Sequence, residues 1–163
     1  MIEAAATSGA IFIMLFTIMM LSRIYIMDNV PQIFMGLLSA ISDNTVISLF
    51  IVNIFMIVVA MLMDDGSAIL LLTPLMMPIL RGLGLGMVHS AAVLAVNTCL
   101  GTVTPPCAPF VFFAARIGDA KVGEMLLPTF WFLIFAWMPT LLLTTYIPAL
   151  AEWVPGILGL PVF

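Results

Sequence analysis

Apolar residues in this chain fall in long runs rather than in alternation. Residues 5–26, AATSGAIFIMLFTIMMLSRIYI, make a run of the length that crosses a bilayer, about 20 residues, so 1–27 is predicted as a transmembrane helix. Residues 28–44 are shorter and hold Pro31. They place Ile33, Phe34, Leu37, Leu38 and Ile41 at helical spacing, which predicts an arm helix lying in the interface plane. Ser42, Asp43 and Asn44 then offer N-caps for the next element.

The middle of the chain does not divide into plain spans. Residues 45–62, TVISLFIVNIFMIVVAML, are apolar enough to span but run straight into Asp64, Asp65 and Gly66. A second run, Ala68–Leu80, follows without a polar loop and covers only about 20 Å as a helix. The economical solution is a re-entrant hairpin over 45–82 with its tip at 63–67, both limbs using one face and the tip enclosed in protein. Residues 88–117 read as a transmembrane helix broken at 101–107. There Gly101, Pro105 and Pro106 interrupt the ladder in GTVTPPCAP. Residues 118–126 are predicted as an interfacial segment, 127–148 as the last transmembrane helix with Trp131 and Trp137, and 149–163 as an interfacial tail with Trp153.

This topology puts 28–42 and 81–88 on one face and 117–124 on the other. Arg23 and Arg81 anchor the first face, and Arg116 and Lys121 the second, so the positive-inside rule gives a tie.

Composition settles the solvent. The chain is 64% hydrophobic and 7% charged, against roughly 25% charged in soluble domains, which predicts an all-α integral membrane protein. The alternation of a membrane barrel is absent. The net charge of −4 says little, with twelve formal charges spread over the chain, but the lack of a basic patch argues against a nucleic-acid partner. The first segment has no basic n-region and is too long for a signal peptide's apolar stretch. Cys99 and Cys107 match no zinc or redox spacing and are read as small packing residues. No catalytic residue or enzymatic motif stands out, and no cofactor is implied beyond a coupling ion.

Interrupted hydrophobic segments point to a transport site, because a break frees carbonyls for a cation and N–H groups for an anion. An aspartate at mid-membrane costs roughly 2.5–3.5 kcal/mol on insertion scales. Two side by side therefore ask for a reason. The candidate cation- and substrate-binding residues are Asp64, Asp65, Gly66 and Ser67 at the tip, with Gly101, Thr102, Thr104 and Pro105 at the break. Their hard oxygen ligands suit sodium, which is assigned to Asp64, Gly66, Thr102 and Thr104. The plainer alternatives are a carboxylate that caps the second limb and a purely structural proline kink. An aspartyl protease is disfavoured, since neighbours on a helix point about 100° apart. His89 is expected to be exposed or capping near the interface, and Asn53 and Asn97 to bond neighbouring helices.

MLMDDGSAILLLTPLMMPIL at 61–80, followed by NTCLGTVTPP, resembles the C-terminal half of the large membrane subunit of TRAP transporters, the DctM-like family. The matching positions are Met63, Asp64, Thr73, Pro74, Gly101, Thr104, Pro105 and Pro106. The chain departs from the family pattern at Asp65–Gly66 and at Cys107–Ala108–Pro109. The resemblance implies one inverted-repeat half of an elevator-type importer in the bacterial inner membrane, driven by sodium, with its first face periplasmic. It also implies a small carboxylate substrate and three partners: the N-terminal half, a small membrane subunit and a periplasmic solute-binding protein. Another ion-coupled carrier of the same superfamily, or a non-transporting membrane fragment that packs with partners, are the alternatives.

Overall fold

A proline and an asparagine decide where the first two turns of the chain fall. The computed structural model describes residues 2–42, 44–63, 65–104 and 109–158, with side chains from residue 8 onward except Pro109. After helix α1 (Ile2–Met27) the chain turns at Asn29, which takes the left-handed conformation at φ 54° that asparagine tolerates, and α2 (Val30–Ile41) starts with Pro31 in its first turn. Helix α3 (Thr45–Leu62) is N-capped by Asn44, whose side chain accepts from the Val46 N–H at 3.0 Å.

Helix α4 (Asp65–Gly82) begins two residues after α3 and runs through both Pro74 and Pro78. Each proline withholds a donor from the carbonyl four residues earlier. The start of α3 (Thr45, Ser48) and Leu83, the residue after α4, line one small cavity of about 150 Å³ under α2. Helices α3 and α4 therefore form a hairpin whose open end carries the arm helix. Gly84, at φ +93°, makes the turn into α5 (Met87–Val103).

Helix α5 is the most enclosed element, with Val93, Leu94, Leu100 and Gly101 buried along with polar positions discussed below. Leu49, Val52, Met56 and Ala60 of α3 pack with Ala68, Leu72, Met76 and Ile79 of α4 and with Val93 and Leu94 of α5 in one core. Spacings of three and four residues put the α3 set and the α4 set each on one helical stripe. Helix α1 leans on α4 through a narrow stripe that buries Ile18 and Ser22 and leaves Phe12, Ile13 and Phe16 exposed.

Helix α6 (Pro109–Ile117) precedes a turn at Gly118–Asp119, and a long helical stretch then returns across the bundle. It consists of α7 (Val122–Phe132), a π-helical turn (Leu133–Trp137) and α8 (Met138–Tyr146). The π turn sits just ahead of Pro139, which has no N–H for the Phe135 carbonyl. Helix α9 (Pro148–Ile157) closes the described chain.

Among the described residues three stretches are long and apolar enough to cross a membrane: Ser8–Met27, Thr45–Leu62 and Val122–Tyr146. Their outer faces expose Phe, Ile, Leu and Met side chains, as a lipid-facing surface requires.

Removing the α3 cap leaves the Val46 N–H without its side-chain acceptor. Asn44→Ala is expected to destabilise the protein by roughly 1 kcal/mol, read as a lower melting temperature in detergent, with Asn44→Asp close to the parent.

Candidate functional site

Glycine at position 101 is what brings the hairpin's closed end onto α5. A Cβ built at Gly101 would overlap the Ala60 methyl, and would lie 2.7 Å from the Ala60 carbonyl carbon and 2.9 Å from the Met61 nitrogen. The backbones of α3 and α5 therefore touch three to four residues before Asp64. Small residues permit this kind of approach between membrane helices.

The other described tip and break residues differ in burial. Ser67 and Thr102 are almost fully buried, Thr104 is half-buried and Gly66 is exposed. The Thr102 hydroxyl donates to the Cys99 carbonyl at 2.9 Å and the Thr104 hydroxyl to the Leu100 carbonyl at 2.6 Å. With their protons turned onto their own helix, both oxygens keep lone pairs free for a cation. The Thr104 side chain also lines an apolar cavity of about 320 Å³ with Ile57, Leu100, Phe130, Leu133, Ile134 and Met138. This cavity lies beside the π turn.

Asp65 opens α4, where the helix dipole favours a carboxylate. Its Oδ1 is buried with no hydrogen-bond partner, and the carboxylate is within electrostatic reach of Cys99 on α5. Asp64 and Pro105 lie outside the described residues, as do Pro106, Cys107 and Ala108. Cys99, expected as a packing residue, has an exposed side chain on the outer face of α5.

A second polar cluster sits lower in the bundle. Asn97 donates from Nδ2 to Asn53 Oδ1 at 2.9 Å and to the Val93 carbonyl at 2.8 Å, and Asn53 donates to Thr145 Oγ1 at 3.0 Å. All three side chains are buried. The expectation that Asn53 and Asn97 bond neighbouring helices is met by their bonding each other and α8.

His89 corrects the sequence reading. It is buried, 3% exposed, and donates from Nε2 to the Thr144 carbonyl at 2.8 Å. The residue four positions after Thr144 is Pro148, which has no N–H to give, so the histidine replaces the missing donor. Thr145 and the Thr144 carbonyl went unrecognised in the sequence. Only Pro148, just after an apolar run, hinted that a carbonyl there needs outside help.

Comparison with known proteins decides the family. The model of the DctM component of the tripartite ATP-independent periplasmic transporters matches residues 1–150. The chain belongs to the DctM family. It is thus a TRAP-type permease chain of the bacterial inner membrane, in keeping with its three span-length helices.

Among its relatives is the isethionate TRAP transporter permease protein DctMQ of Oleidesulfovibrio alaskensis, 28% identical over 158 residues. These residues are 95% of this chain and 24% of that protein. The C4-dicarboxylate TRAP transporter large permease protein DctM of Pseudomonas aeruginosa is 28% identical over 94% of this chain and 36% of its own length. The sialic acid TRAP transporter permease protein SiaT of Haemophilus influenzae is 25% identical over 96% of this chain and 25% of its own length. The chain thus spans about a quarter to a third of the length of these relatives. No solved structure matches it.

The glycine contact makes a test of sign. In an ordinary helix interior, Gly→Ala stabilises by about 0.5–1 kcal/mol. Gly36→Ala, where a Cβ meets nothing within 4 Å, should raise the melting temperature. Gly101→Ala should instead lower it, by the roughly 1–3 kcal/mol that overpacking costs, because α3 and α5 must separate. A stabilising Gly101→Ala would contradict the contact.

Proposed function

We propose that this chain is the membrane permease half of a sodium-coupled TRAP-type importer of small organic acids. C4-dicarboxylates, sialic acid or similar carboxylates are the substrate class. The observation that carries the reading is the seating of Gly101 on Ala60 and Met61, which sets the hairpin's closed end beside the start of the break. The relatives' names add support, since isethionate, C4-dicarboxylates and sialic acid are all small organic anions.

In this reading α3 and α4 are a re-entrant hairpin and α5 with α6 is a broken transmembrane helix. Asp64, Asp65, Gly66 and Ser67 face Gly101, Thr102, Thr104 and Pro105 across the candidate site. Sodium is held by Asp64, the Gly66 backbone, Thr102 and Thr104. A bound cation would satisfy the unpartnered Asp65 oxygen and offset the cost of burying carboxylates at mid-membrane. The anionic substrate then binds next to the cation and the N–H groups that begin α4. The helices move together as an elevator that carries this site across the membrane.

One hairpin-and-break unit supplies half of a site that forms at a repeat interface. The N-terminal half completes it, a small membrane subunit holds the assembly, and a periplasmic solute-binding protein delivers substrate. The chain corresponds to the C-terminal repeat.

Sodium dependence tests the site. In a complete transporter carrying this half, Thr104→Val should keep the fold and raise the sodium concentration for half-maximal uptake about two- to tenfold, the scale of one lost polar interaction. Asp64→Asn should do so at least as strongly. Uptake is measured against sodium at matched expression. Wild-type sodium dependence in both variants would place the site elsewhere.

Labelling from the two sides of the membrane tests the hairpin. Arg81→Cys and Ala120→Cys, both at exposed positions, are introduced singly with Cys99→Ser and Cys107→Ser and probed with an impermeant thiol reagent. The reading expects Arg81→Cys to label from the periplasmic side and Ala120→Cys from the cytoplasmic side. Labelling of both from one side would rule out the re-entrant arrangement.

A further inference from the structure

Apolar packing selects helix register weakly in a membrane, because lipid tails are as apolar as the helix faces themselves. Yet the seating of Gly101 on Ala60–Met61 requires one register of α3 against α5. Slipping α5 by a turn would place Asn97 or Pro105 at that contact, and either would bring a side chain where no Cβ fits. Something must hold the two helices in place.

We propose that Asn53 and Asn97 form a register lock. They are positioning residues that align α3 with α5 so that the tip meets the break. Asn97 lies one turn before Gly101 and Asn53 two turns before Ala60, so their bond fixes the level of the contact above it. Asn53 carries the bond on to Thr145 of α8, and His89 ties the base of α5 to the Thr144 carbonyl. Three helices are thereby joined.

The orientation of Asn97 supports a lock over filler. Both its N–H groups are used, on Asn53 Oδ1 and the Val93 carbonyl, while its own Oδ1 is buried with no partner. Reversing the amide would set that oxygen against two acceptors, so the bond has one direction. An orphaned oxygen is a cost that a leucine pair of similar volume would not carry. Single buried polar pairs that fix register at some cost in stability are known from coiled coils.

The consequence for sodium binding rests on the proposed function, but the register does not, and the test reads register alone. In the full 163-residue chain in lipid vesicles, with Cys99→Ser and Cys107→Ser, Ile57→Cys is paired in turn with Val96→Cys, Leu100→Cys or Thr104→Cys. Disulfide yields across the three pairs give a register profile. The parent should favour one pair over the others by about threefold to tenfold, the population shift that one interhelical hydrogen bond gives in a membrane. Asn53→Leu combined with Asn97→Leu leaves no orphaned partner, and should level the profile to within about twofold while the chain still folds. Asn97→Ser, too short to reach Asn53, should level it by itself and serves if the double variant fails to fold. A profile as sharp in these variants as in the parent, or no preferred pair in the parent, would overturn the lock.

Discussion

Without a Cβ, Gly101 lets the backbone of α5 rest on the last full turn of α3, and any other residue would hold the two helices apart. The closed end of the α3–α4 hairpin and the C-terminal part of α5 are brought together by this contact. Lipid supplies no net apolar attraction between helices, so close backbone approach and its dispersion contacts must hold such a junction. Both sides of it are small residues, Ala60 and Gly101. The proposed ion site is a consequence of that approach, since carbonyls and hydroxyls can share a cation only when backbones come this near.

Polar groups deeper in the bundle follow from the same absence of water. Each proline placed in or beside a helix withholds a donor, and the structure answers where the chain passes close enough. His89 does so for Thr144, whose usual donor position is Pro148. Thr98, Thr102, Thr104, Thr129 and Thr140 turn their hydroxyls onto carbonyls of their own helices. These hydroxyls are thereby satisfied without partners on other helices. Asn53 and Asn97 differ, since their amides reach across helices and join α3, α5 and α8.

Much of this could be read from the sequence because the signals were local. Run lengths marked 1–27 and 127–148 as spans, where the structure has the span-length stretches Ser8–Met27 and Val122–Tyr146, and the Asp64–Gly66 interruption marked the boundary between α3 and α4. Motif resemblance gave the family. What escaped was three-dimensional. A histidine three residues after a Gly-rich turn reads as interfacial until α8 is seen to end beside it. Thr145 is one hydroxyl in an apolar run, and nothing local pairs it with Asn53, 92 residues earlier. Small Cys99 read as a packing residue, yet it lies on α5's outer face, because burial depends on which side of the helix the neighbours occupy.

The central claim is that tip and break form one ion site. It is tested most directly by energetic coupling between them in a complete permease carrying this half. Sodium affinity is measured calorimetrically for the parent, Asp65→Asn, Thr102→Val and the double variant. Residues that share a bound ion should be non-additive by about 0.5 kcal/mol or more. Strictly additive losses, or no loss in either single variant, would mean that the hairpin tip and the broken helix meet without binding sodium together.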